Sequence, residues 1–247
     1  MAVGIGKKLK PDDTGKCRKN PALSSLSALF RPLPDRIIRP RASPYPGREY
    51  AVNLVHWQHF FRGYVFEKLK HPERAMTEYQ KALELQPRFA RAHACLGFLH
   101  AKNKHLAPAI EHFREAAALA PKDADMHFNL GYLLDQNEQQ EMAIGSFRQA
   151  VELNRKLDRA WYGLSHAYAK LGQHREALEA IHQACLLQPK NGYLWYNAAM
   201  AHHALGERDK VEDVIMHLHR IDPINCRRVI READRPDLEH LVKDLRV

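Results

Sequence analysis

From about Tyr50 to the end of the chain, apolar residues recur at three- and four-residue spacing, and no proline interrupts them until Pro72. That spacing lays an apolar stripe along one face of a helix, and it predicts a succession of amphipathic helices rather than strands. Residues 1–50 read differently. They hold seven of the fourteen prolines and few large apolar side chains, so residues 1–49 are expected to be a basic, largely disordered leader, with the repeating part running over 50–223.

The helical part is periodic. Pro87, Pro121, Pro189 and Pro223 are separated by 34, 68 and 34 residues. A fixed period of this size marks one supersecondary unit repeated along the chain. Aligning on it gives five registers, starting at His56, Ala90, Ala124, Asp158 and Gly192, without an insertion. The eighth residue is always small (Gly63, Gly97, Gly131, Ser165, Ala199), and the twentieth is Ala75, Ala109, Ala143, Ala177 or Val211. Small residues in both columns would let two antiparallel helices approach closely where they cross. Position twenty-four is bulky (Tyr79, Phe113, Phe147, Ile181, Ile215) and should fill the space between one helix pair and the next. Proline at position thirty-two ends the second helix, because the residue before a proline is driven out of the helical region. Only the third register departs, with Arg155. Gly172 and Gly206 stand at position fifteen, where the first helix must reverse into the second.

These columns closely resemble the tetratricopeptide repeat family over roughly residues 53–223, most plainly in "YAKLGQHREALEAIHQACLLQP" (168–189) and "HFREAAALAP" (112–121). The resemblance implies an all-α fold: a right-handed α-solenoid of five TPR helix pairs with a concave inner face. The first register is the least typical, having Arg62 where its successors have Leu96, Leu130 and Leu164. Position four runs His59, His93, His127, Trp161, Trp195. After Pro223, residues 224–247 read as C-terminal capping helices, which a solenoid end requires to cover its last apolar face.

In this family the first helix of each repeat lines the groove, mainly through positions two, five, nine, twelve and thirteen. Carried over, position five gives Phe60, Ala94, Phe128, Tyr162 and Tyr196, and position nine gives Tyr64, Phe98, Tyr132, His166 and Met200. Seven of these ten are aromatic, and aromatic side chains supply contact area at low entropic cost. Asn129 and Asn197 at position six could hold the main chain of a bound peptide, since an amide both donates and accepts. Arg159 joins this candidate set. The family's two-carboxylate clamp for chaperone C-termini is not assembled, because Ala94, Phe98 and Gly163 occupy places that need polar side chains.

Composition narrows the function further. The net charge is +9, but residues 1–50 carry eleven Lys/Arg against four acids, so the excess belongs to the leader. Attraction to nucleic acid or an anionic membrane would therefore act there, although Phe30, Tyr45 and Tyr50 offer little base stacking. Four scattered cysteines fit a reducing, cytoplasmic setting. Sixteen histidines occur without a metal-ligand motif, and there is no phosphate loop or nucleophile elbow, so no cofactor and no catalysis are expected. The reading is a scaffold or adaptor that binds a peptide or protein segment in an aromatic-lined groove. Self-association and recruitment through the leader are the alternatives.

Overall fold

The structure, a computed structural model, describes residues 54–243; the basic leader and Cys17 lie outside the described residues. The described residues form eleven α-helices and one short 3-10 helix. They run α1 (Val55–Lys68), α2 (Pro72–Leu85), α3 (Ala90–Lys102), α4 (Leu106–Leu119), α5 (Ala124–Gln136) and α6 (Gln140–Leu153). The series continues with α7 (Asp158–Lys170), α8 (His174–Leu187), α9 (Gly192–Ala204), α10 (Arg208–Ile221) and α11 (Pro223–Glu232), then the 3-10 helix Pro236–Val242. Each first helix packs on the second helix of its own repeat, and each second helix packs on the first helix of the next. The result is an α-solenoid of five helix pairs. Among the described residues, no helix is long and apolar enough to cross a membrane.

The small and bulky columns meet directly. A Cβ added to Gly63, Gly97 or Gly131 would stand 2.7, 2.6 or 2.8 Å from the ring of Tyr79, Phe113 or Phe147, the position-24 residue of the same repeat. Where position 24 is instead Ile181 or Ile215, position 8 is Ser165 or Ala199. Column eight is therefore cut to fit column twenty-four. Phe147 does double duty, since a Cβ on Gly163 of the next repeat would also lie 2.6 Å from its ring. Columns twenty and twenty-seven, alanine in repeats one to four, are fully buried at the helix crossings.

The reversal at position fifteen is left-handed in every repeat. Gly172 and Gly206 have φ of 71° and 74°, but Lys70, Lys104 and Glu138 adopt 59°, 62° and 59° without glycine's freedom. In all five, the next residue's N–H reaches back five residues to a carbonyl near the end of the first helix: His71 to Phe66, His105 to His100, Gln139 to Leu134, Gln173 to Tyr168, Glu207 to His202, at 2.9–3.0 Å. This closure satisfies a carbonyl that the helix end would otherwise leave open.

Junctions between repeats carry a second recurrent bond. The ring nitrogen at position four meets the main-chain carbonyl at position thirty-two of the preceding repeat: His93 with Pro87 at 3.0 Å, His127 with Pro121 at 3.1 Å, Trp161 with Arg155 at 2.9 Å and Trp195 with Pro189 at 2.8 Å. A carbonyl only accepts, so both histidines present Nε2–H. The third repeat ends its second helix at Leu153 like the others, despite lacking the proline. There the Asn154 side chain accepts from the Lys156 N–H at 3.0 Å, forming a local turn that diverts the chain.

At the C-terminal end, α11 and the 3-10 helix bury Cys226, Val229, Ile230, Leu238 and Val242 against Tyr196, Val211, Ile215 and Leu218. Arg235, buried in the turn between them, holds the cap through Glu212 at 2.7 Å and Asp237 at 2.8 Å, and donates to the Arg208 carbonyl. α11 begins at Pro223 with Asp222 capping its N-terminus, so the last ruler proline opens a helix while closing the one before it.

Three imidazoles, His100, His112 and His182, make the array sensitive to acid. His93 donates through Nε2, so its Nδ1 accepts from His112 Nδ1–H at 3.1 Å, and His100 stacks on His112 with ring centroids 5.5 Å apart. Burial, then His93 and His100, hold His112 below the usual histidine value of 6.5, against an opposing pull from Glu111 and Glu115. Burial and then His105 lower His100; burial and then His202 lower His182, which Glu207 partly offsets. Below about pH 6.5 the unfolded chain takes up protons that these folded rings refuse, so stability falls with pH until the depressed folded values are passed. Urea midpoints should therefore drop between about pH 7.5 and about pH 5.5, and His112→Gln should flatten that slope. An unchanged midpoint across the range would contradict this account.

Candidate functional site

The face of interest is built by the first helices, because the second helices turn their small columns inward against them. Position nine is the more open of its two aromatic columns, five and nine. Tyr64, Phe98 and Tyr132 are 47%, 54% and 52% exposed, each one repeat from the last. His166 and Met200 continue the column half-buried, Met200 against the cap cluster. Large apolar side chains held half in water in a regular row are unusual for a chain with room to bury them.

Position five behaves differently. Phe60 is half-buried among Trp57, Tyr79 and Phe89, with ring centroids 5.1–5.7 Å away, so it forms much of the floor of the first repeat. Phe128 packs toward Phe147 and lies under the Arg159 guanidinium, 4.7 Å from its centroid. Tyr162 shares a 3.2 Å hydroxyl contact with Tyr193, and burial raises its phenol above the ordinary range, keeping it protonated. Tyr196 corrects the sequence expectation. It is only 8% exposed, because α11 covers it: its hydroxyl donates to Glu232 at 2.5 Å and Arg228 lies 4.1 Å over its ring. Tyr196 belongs to the cap, and the aromatic face ends before it.

The two asparagines separate as well. Asn197 donates to the Tyr193 carbonyl of its own helix at 2.7 Å, which occupies one side of its amide. Asn129 is half-buried at position six beside the open column.

The polar residues of the face pair with one another. Arg159 bonds Asp125, its position-two counterpart one repeat earlier, at 3.1 Å. Asp135, buried at position twelve, accepts from Lys170 at 3.1 Å and His166 at 3.2 Å, both in the following repeat. Sequence reasoning selected His166 without Asp135, because the pairing spans 31 residues and leaves no local motif. Glu67 accepts the Tyr79 hydroxyl at 2.9 Å. The carboxylates at positions two and twelve of repeats one to three are thus engaged internally. Exposed cations remain: Lys68 lies 5.0 Å over the Tyr64 ring, Arg91 lies 5.9 Å over Trp57, and Lys102 stands at position thirteen of repeat two. Among the described residues, no three of His, Cys, Asp or Glu converge as a metal site would require.

Solved structures support this architecture. MamA superposes with a TM-score of 0.64 at 19% identity, over 75% of this chain and 97% of MamA. YrrB, described as "a TPR protein with an unusual peptide-binding site", gives 0.65 at 24% identity, over 72% of this chain and 90% of its own. At such identities the likeness concerns the fold. No curated protein sequence gives a significant match. Sequence profiles of the tetratricopeptide repeat match residues 90–123, 124–157 and 158–191, which are three of the five registers, and a TPR repeat profile matches 63–104. These matches run without a gap from residue 63 to residue 191, just over half of the 247 residues, and the chain belongs to the tetratricopeptide repeat family.

Proposed function

We propose that this protein is a non-enzymatic scaffold that captures a segment of a protein partner on the open face of its first helices. The observation that carries this reading is the row of half-exposed aromatics Tyr64, Phe98 and Tyr132, held at one-repeat intervals on rigid helices. Rings fixed on such a lattice lose little freedom on binding, and each can anchor a side chain of an extended or helical ligand. Asn129 and Tyr162, beside this row, are the polar groups placed to orient a bound main chain. Cys95, Cys185 and Cys226 remain free thiols, which suits a cytoplasmic setting.

Replacing Tyr64, Phe98 and Tyr132 together by alanine should abolish partner capture while leaving helical content unchanged. With at least one ring acting as a hot spot of about 2 kcal/mol or more, the loss should exceed roughly thirtyfold. Affinity capture with intact and triple-variant protein in parallel, scored against circular dichroism, makes the comparison. Capture that survives the triple replacement would remove this face from consideration. Tyr196→Ala is unsuitable for the purpose, because it would unseat the cap.

A further inference from the structure

We infer that the segment this face takes is acidic, with carboxylates spaced between apolar side chains; this rests on the face being the binding site. The argument is one of charge. Carboxylates lining repeats one to three are already engaged: Asp125 by Arg159, Asp135 by Lys170 and His166, and Glu67 by the Tyr79 hydroxyl. The cations beside the aromatic row are not so engaged. Lys68 and Arg91 lie over aromatic rings and are exposed, as is Lys102 at position thirteen. A ligand laid along Tyr64, Phe98 and Tyr132 therefore passes three cations, Lys68, Arg91 and Lys102, against one carboxylate without a cationic partner, Glu67, which the Tyr79 hydroxyl holds. An acidic segment gains from each, and a basic one is repelled.

The same asymmetry argues against one particular occupant. The chain's own first fifty residues carry a surplus of seven positive charges, so neither this leader nor that of a second copy complements the face. Nor is a terminal carboxylate required, since the cations are spread along the row rather than gathered at one point. The ligand chemistry is that of an internal stretch of aspartate or glutamate alternating with leucine, phenylalanine or similar residues.

Short peptides blocked at both ends test this directly. They share their leucine and phenylalanine positions and differ only in filling the others with glutamate, glutamine or lysine. Fluorescence anisotropy against the full chain at low ionic strength should rank glutamate over glutamine over lysine, with about five- to tenfold between the first two. The gap should narrow as ionic strength rises from about 0.05 to about 0.3 M, where screening shortens to a few ångströms. The double variant Arg91→Glu, Lys102→Glu should reverse the order, and both positions are exposed enough to leave the fold intact. Equal affinity for all peptides, preference for lysine, or binding of none would overturn the acidic assignment. In the first two cases, loss of binding in the triple alanine variant would leave the face itself standing as the site. Glutamate-peptide binding that survives that variant would overturn both readings.

Discussion

Phe147→Ala should destabilise the protein by about 3–5 kcal/mol and lower its thermal midpoint by roughly 10 °C, read by circular dichroism. The ring is 1% exposed and sits where two repeats share a wall. Gly131 of its own repeat and Gly163 of the next both lack a Cβ because the ring fills that space. Removing it empties a cavity lined from two sides, neither of which has a side chain able to swing in. The damage falls between repeats three and four, so an array that couples its repeats through nearest-neighbour contacts should also unfold over a broader temperature range. A loss below about 1 kcal/mol would mean that the helices close over the gap and that the glycines are not set by the ring.

A second large effect is expected in a pair of substitutions rather than in one. Gly97→Ala places a methyl 2.6 Å from the Phe113 ring, and the Ala109 carbonyl at 3.3 Å blocks escape on the other side. Overpacking of this kind costs about 1–3 kcal/mol, partly offset by the better helix propensity of alanine. Repeat five already contains the compatible combination, Ala199 with Ile215, both fully buried. Combining Gly97→Ala with Phe113→Ile should therefore be less harmful than the two single changes predict, with a favourable coupling of roughly 1–2 kcal/mol in a double-mutant cycle. Strict additivity in urea titrations would show that the two columns do not constrain each other.

The sizes in these two columns were legible in the sequence because packing fixes side-chain size at a spacing set by helix geometry. Their pairing was not: column twenty-four was expected between helix pairs, yet Phe113 meets Gly97 and Phe147 meets Gly131 within one repeat, and only Phe147 also reaches the next. The left-handed reversal at position fifteen was legible only where glycine marks it, at Gly172 and Gly206. Lys70, Lys104 and Glu138 make the same turn with outward-pointing side chains, and nothing in their identity reveals it. Part of the face was misjudged for a different reason. Position five faces the groove in the family pattern, but Tyr196 is followed by a cap whose Arg228 and Glu232 no repeat column forecasts. Phe60 was drawn into the core by Trp57 and Phe89, both aromatic additions at the start of the array. Position nine could be read from the ruler but not its openness, which depends on how far each neighbouring first helix stands away.

The ring-to-carbonyl bond between repeats has a consequence for how such a chain can change over time. It joins a side-chain N–H to a main-chain oxygen, so the residue supplying the oxygen is free to differ, as Arg155 does among the prolines. The donor is free to be either imidazole or indole. In this bond alone, each joint is interchangeable with every other. A unit cut at this point keeps the bond wherever it is copied or moved, so the number of repeats can vary, except that Phe147 demands a following unit that, like the one with Gly163, has no side chain at position six.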